Sequence, residues 1–235
     1  MAAQVELLDK QKHQQIKIKT GNMDTPENRV NAALVVVTEL STLIHEYPIF
    51  ATKHPNTGQF QLVAILGFSP KQNLYLHGEQ WRATYLPLDI MRRPFSAMIE
   101  NDDFSAGRIA IDVNHPWVNT QTGEALFTAE GKATEFLQRM QNTFAGLLAG
   151  TQRTQQILNV AAEHKLLTSI NLEVELKNGE KTGINGLYAV DTDALKNLSG
   201  DGLATCHKAS VLEVCHLLLS SGAHIQKLIK WADEA

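Results

Sequence analysis

Between Lys132 and Leu167 the apolar residues repeat with the period of an α-helix, and no other pattern restricts the fold of this chain as strongly. Thr134, Phe136, Leu137, Met140, Phe144, Leu147 and Leu148, then Ile157, Leu158 and Ala161, follow i, i+3 and i+4 steps. The spacing predicts one long helix or two broken near Gly150, since a glycine inside a helix costs only about 1 kcal/mol and forces no break. The stripe Phe136, Met140, Phe144 packs such a helix on a sheet; left exposed, it forms a groove for a partner helix.

The rest of the chain supplies that sheet. Ala32 to Thr38 is a continuous, largely β-branched run that suits a buried strand, and Thr38 is placed to cap a helix over Glu39–Tyr47 that Pro48 ends. Ile49–Lys53 and Phe60–Phe68 flank the turn His54-Pro55-Asn56-Thr57-Gly58, which predicts a hairpin. Asn73–His77, Trp81–Tyr85 and Arg108–Val113 read as further strands. Ser169–Lys177 and Lys181–Tyr188 meet at Asn178-Gly179, the strongest short hairpin signal. Asp191–Leu198 forms a small capped helix and Leu203–Trp231 a final helical region, while Asn114–Gly131 reads as a long surface loop of the kind that carries function. Residues 1–28 form a polar N-terminal arm and residues 29–235 a single domain. The expected class is α+β: a mainly antiparallel sheet with long helices packed on one face.

Composition narrows function by exclusion. A hydrophobic fraction of 43% and a charged fraction of 20% describe a globular rather than a disordered chain. A net charge of −4 argues against a nucleic-acid binder, which needs a basic face. The N-terminus lacks an apolar signal region, and no apolar run approaches the ~20 residues of a membrane span, so a cytoplasmic location without membrane insertion is expected. Cys206 and Cys215 lie nine apart in an apparently helical stretch. On one straight helix they would stand roughly 13 Å apart, beyond the reach of a disulfide, so buried reduced thiols are expected.

The densest set of ligand-recognising residues is Trp81, Arg82 and Tyr85 with Arg92, Arg93 and Phe95. Arginine offers a planar fork for carboxylate or phosphate, and the aromatics offer stacking area at low entropic cost. On an alternating strand Trp81 and Tyr85 face away from Arg82, so the aromatics serve equally well as core. His45-Glu46 does not open a zinc helix, because the pattern breaks at Pro48. The adjacent pairs Cys206-His207 and Cys215-His216 diverge around a helix, and neither a metal set nor a catalytic pair follows from them. Gly67, Gly78 and Gly186 are isolated and cradle no phosphate, and no cofactor is expected.

Several segments, in their order and spacing, resemble the SapC family over about residues 32–230. They are Glu46-Tyr47-Pro48-Ile49, Val63-Ala64-Ile65-Leu66-Gly67, Asn73-Leu74-Tyr75-Leu76, Trp81-Arg82-Ala83-Thr84-Tyr85-Leu86-Pro87, Arg92-Arg93-Pro94-Phe95, Ile111-Asp112 and Gly186-Leu187-Tyr188-Ala189-Val190-Asp191. Alignment is diffuse from Glu100 through Asn114–Gly131. The resemblance implies a bacterial accessory protein linked to surface layers, outer-membrane uptake or peptide modification, and it carries no reaction to particular residues. The expectation is therefore a non-enzymatic protein that engages a peptide or protein partner through the Trp81–Phe95 surface, with homo-oligomerisation left open. The alternative is an enzyme in which Arg82 or Arg93 clamps an anion and His45, Glu46 or Asp112 moves protons, which requires those groups to converge in a concavity.

Overall fold

A computed structural model describes residues 3–98 and 108–234, so the ends of the arm and of the domain and residues 99–107 lie outside the described residues. Its centre is a wholly antiparallel five-stranded sheet. β1 (Val5–Leu7) and β2 (Lys17–Ile18) precede β3 (Ala32–Val35), the first strand of that sheet. β4 (Ile49–Lys53) and β5 (Phe60–Ile65) form the expected hairpin, with Gly58 at φ +69° in its turn. β6 (Leu76–His77) and β7 (Gln80–Trp81) pair in a small ribbon, while β8 (Phe95–Met98), β9 (Arg108–Asp112), β10 (Val118–Asn119) and β11 (Glu124–Ala125) belong to two minor sheets. The second hairpin, β12 (Leu167–Glu175) and β13 (Lys181–Val190), turns at Gly179 with φ +82°, the left-handed conformation for which Asn-Gly is suited. The central order is β12-β13-β4-β5-β3.

Two single-turn helices, α1 (Leu40–Leu43) and α2 (Leu88–Met91), are followed by α3 (Glu135–Glu163), which runs unbroken through Gly150. The Thr134 hydroxyl caps it by accepting from the Leu137 amide at 3.4 Å. The first turns of α3 bury Phe136, Leu137 and Met140 with Ile18, Phe95, Ile111, Trp117 and Leu126. Its last turns bury Ile157, Leu158 and Ala161 in the larger core with Leu62, Ala64 and Leu187. One rod thus joins two cores. A Cβ at Gly150 would stand 2.6 Å from Val36 Cγ2, so the glycine permits a close approach of α3 to the segment after β3. Gly150→Ala is expected to lower stability: overpacking of about 1–3 kcal/mol outweighs the roughly 1 kcal/mol gained in helix propensity. Thermal denaturation checks this, and a raised midpoint contradicts it.

After β13 come α4 (Thr192–Lys196), α5 (Gly200–Lys208), α6 (Val211–Ser221) and α7 (Ile225–Asp233). The Asp191 carboxylate caps α4 by accepting from Asp193 N and Ala194 N. The helices α3 and α6 touch each other over β5, β13 and β4, which gives the α+β layering expected from the sequence.

The structure departs from sequence patterning in several places, and two expected elements are shorter than read: the helix over Glu39–Tyr47 is the single turn of α1, and the strand over Asn73–His77 keeps only Leu76–His77. Within the polar arm, β1 pairs with β9 and β2 with β10 and β11, burying His13 and Ile18. Asn114–Gly131 is likewise not a free loop, since it carries β10 and β11 and buries Trp117 and Leu126. Strands of two or three residues are too short for alternation to register, and their partners are distant in sequence. The strand from Ala32 stops at Val35, and the following turn is held not by Thr38 but by Glu39, whose carboxylate accepts from Val36 N at 3.1 Å and Leu88 N at 2.7 Å. The strand at Trp81 bends away after one residue. The final helical region is three helices rather than one, broken first at Ser210, whose φ is +61°. Cys206 and Cys215 consequently sit on α5 and α6, both as free, buried thiols.

Candidate functional site

Tyr47 and Tyr75 are fully buried and stack with ring centroids 4.5 Å apart. On this pair the structure assembles Trp81, stacked 5.8 Å from Tyr75, and Trp231 of α7, edge-on at 5.2 Å. Hydrogen bonds fix the rings. The Trp81 indole N–H donates to the Tyr47 hydroxyl at 2.7 Å, which itself donates to the Tyr85 carbonyl at 2.5 Å, and the Tyr75 hydroxyl donates to the Glu46 carbonyl at 2.7 Å. Burial pushes both phenols far above their ordinary range, so they stay neutral donors.

Glu46 explains the bend after Trp81. Its two carboxylate oxygens accept the Thr84 and Tyr85 amides at 2.8 and 2.9 Å, which pulls that backbone out of the strand path. Partial burial works to raise the Glu46 carboxyl, but these amides and the nearby Lys227 ammonium outweigh it and hold the group below the usual carboxylate range.

Two cations face the aromatics. The Lys227 ammonium lies 5.2 Å from the Tyr75 ring centroid and 5.1 Å from that of Trp231, and donates to the Glu46 carbonyl. Burial lowers its pKa, while Glu46 partly restores it. The Arg82 guanidinium stacks 5.0 Å over Trp231 and contacts His77 Nδ1 at 2.7 Å. Trp81, Arg82, Lys227 and Trp231 are half-buried, and Tyr85 is 47% exposed. The surface is a rigid aromatic floor with cationic groups at its face.

Arg92, Arg93 and Phe95 are not part of this patch. Arg92 donates to Asp89 Oδ1 through Nε at 3.0 Å and Nη2 at 2.6 Å, and to the Phe95 carbonyl at 2.8 Å. Arg93 donates to Asn28 Oδ1 at 2.8 Å and to the Glu27 carbonyl, and lies 3.5 Å from Asp89 Oδ2. Phe95 is buried in the smaller core. Both guanidiniums therefore hold an internal carboxylate.

The proposed acid–base residues are also separated. Exposed His45 and half-buried Glu46 flank the aromatic patch, whereas Asp112 accepts from Gln4 N at 2.8 Å and Asn114 N at 3.1 Å in the smaller sheet region. Beside Asp112 lies a histidine that sequence reading passed over. His115 is 3% exposed; its Nδ1 accepts the Trp117 amide at 3.1 Å, which places the proton of the neutral ring on Nε2, 3.4 Å from Glu27 Oε2. Burial lowers the His115 pKa most strongly; Glu27 and Asp112 oppose this and Arg93 reinforces it. The unfolded chain, with its histidine near about 6.5, then binds more protons than the folded one, so stability falls as pH drops below that value. Lowering pH from about 7.5 to about 5.5 is expected to reduce the thermal midpoint of the wild type more than that of His115→Asn. Equal reductions contradict the assignment.

Elsewhere a shallow groove lies between residues 57–60 and the end of α3, which contributes Asn159 and Glu163. It holds none of the residues singled out above. Among the described residues, no three His, Cys, Asp or Glu side chains converge as a metal set, and no helix is long and apolar enough to cross a membrane.

Tyr47 and Tyr75 lay within the segments that carry the family resemblance, but nothing in the sequence linked them to Lys227 and Trp231. Comparison with protein families matches the SapC family over residues 8–228. No curated protein and no solved structure matches.

Proposed function

The chain belongs to the SapC family, and on that footing we propose that it is a binding or accessory protein that engages a peptide or protein partner through the Trp81–Arg82–Tyr85–Trp231 patch. The observation that carries this reading is the Arg82 guanidinium laid over Trp231 beside exposed Tyr85, on a backbone that Glu46 fixes in place. Tryptophan, tyrosine and arginine held in one orientation are the residues in which binding energy concentrates. The floor is already ordered by hydrogen bonds, so a ligand is met by a surface that loses little freedom on binding.

Arg82 and Lys227 favour a carboxylate, and the aromatic faces favour an apolar or aromatic side chain next to it. The ligand we infer is an acidic peptide segment with an aromatic or apolar neighbour. The family's name ties such a partner to surface-layer or outer-membrane systems, and the expected place of encounter is the cytoplasm.

Selection from a displayed random-peptide library on the immobilised protein tests this. Enriched peptides are expected to pair Asp or Glu with an aromatic residue and to bind more weakly as salt is raised. Tyr85→Ala and Arg82→Ala should each weaken the selected peptide by about 30-fold, as loss of an anchor worth about 2 kcal/mol implies. Both residues stand at the surface, so stability should change by no more than about 1 kcal/mol. Selected peptides that bind both variants as they bind the wild type contradict the proposal.

A further inference from the structure

The outer edge of β12 is unpaired among the described strands, although it is nine residues long, roughly 30 Å. Long edges are normally blunted by lysine, proline, a bulge or a covering element. The sequence Leu167-Thr168-Ser169-Ile170-Asn171-Leu172-Glu173-Val174-Glu175 has neither lysine nor proline. The one irregularity in the hairpin falls on the other strand: Ile170 pairs with Leu187 and Leu172 with Ile184, so the extra residue lies in β13, where Gly186 adopts φ +77°. α3 and α6 lie over β5, β13 and β4, and β12 extends past them with Ile170 and Leu172 only half-buried. The opposite edge, β3, is four residues long and has α2 packed against it.

We propose that β12 pairs antiparallel with β12 of a second copy of this chain, about a two-fold axis at Asn171, joining the two five-stranded sheets into one. The strand is self-complementary in that register. Ile170 faces Leu172 and Thr168 faces Val174 on the helix-covered side, so the two apolar faces become continuous. On the open side Ser169 faces Glu173, Leu167 faces Glu175, and Asn171 faces its own copy, so no two carboxylates are opposed. A register centred on Glu173 would set that residue against itself, which confines the pairing to the middle of the strand.

Sedimentation over a concentration series tests this with Ser169 substituted in both directions. The wild type is expected to pass from 26.0 kDa to twice that mass. Ser169→Glu sets a carboxylate against Glu173 of the partner subunit on both sides of the axis and should weaken the dimer by about tenfold, whereas Ser169→Lys should tighten it several-fold. Asn171→Cys should cross-link under mild oxidation, while the wild type, whose two cysteines are buried, should not. Ser169 and Asn171 are exposed, so circular dichroism and the thermal midpoint should not change. A wild type that stays at 26.0 kDa at every soluble concentration overturns the proposal and leaves the edge to a foreign strand. A dimer indifferent to both Ser169 substitutions overturns it as well.

Discussion

Arg93→Met is expected to lower the free energy of unfolding by about 3–5 kcal/mol, the usual effect of breaking a buried ion pair by removing one partner. The Arg93 side chain is 13% exposed and Asp89, which it faces, 12%. Without the guanidinium, Asp89 keeps only Arg92, and Asn28 Oδ1 and the Glu27 carbonyl lose their donor. Asp89→Ala should be comparably severe, because it leaves two adjacent guanidiniums without a carboxylate. Arg92→Ala should cost less, since that side chain is 26% exposed and Asp89 keeps Arg93 as a partner. The double variant Asp89→Leu with Arg93→Met should be less destabilised than the sum of the singles, because neither charge is then stranded. Urea unfolding supplies all of these values. An Arg93→Met variant within about 1 kcal/mol of wild type contradicts the structural role assigned to the pair.

Tyr75→Ala should have an effect of similar size, about 3–5 kcal/mol, as deletion of a buried ring leaves a cavity. Its particular consequence is at the surface. Tyr75 is the ring against which Tyr47, Trp81, Trp231 and Lys227 are all placed, so the patch loses its floor. Tyr75→Phe keeps the ring and removes only the hydrogen bond to the Glu46 carbonyl, which Lys227 also reaches; about 1 kcal/mol is expected, with peptide binding retained. If Tyr75→Ala unfolds no more readily than Tyr75→Phe, the ring is not the support described.

Much of the scaffold was legible in the sequence because it rests on local rules. The Asn178-Gly179 turn, the capped start of α4 at Asp191 and the apolar spacing of α3 each lie within a few residues of what they determine. The site was legible only in part. Trp81, Arg82 and Tyr85 stand out by residue type, but the residues that orient them lie far away: Glu46 and Tyr47 on one side, Lys227 and Trp231 on the other. Trp81–Tyr85 reads as a strand because its bend is imposed by the Glu46 carboxylate, a tertiary contact with no local trace. Arg92 and Arg93 looked continuous with Trp81 along the chain, and a local signal pointed elsewhere. Asp89 stands three and four residues before them, the helical spacing at which a carboxylate meets a guanidinium, and the single turn of α2 realises both pairs. The strands β1 and β2 escaped notice because so few residues carry no periodicity.

The chain's three tryptophans allow a direct test of where a ligand binds. Trp81 and Trp231 belong to the patch, while Trp117 is 5% exposed in the smaller core, its indole N–H donating to the Asn22 carbonyl at 2.7 Å. In a titration of nitrogen-labelled protein with a selected acidic peptide, the indole N–H resonances of Trp81 and Trp231 should shift progressively. That of Trp117 should stay fixed and serve as the internal reference. Saturable binding that moves Trp117, or that leaves both patch tryptophans unmoved, would place recognition elsewhere on the molecule and contradict the proposed function.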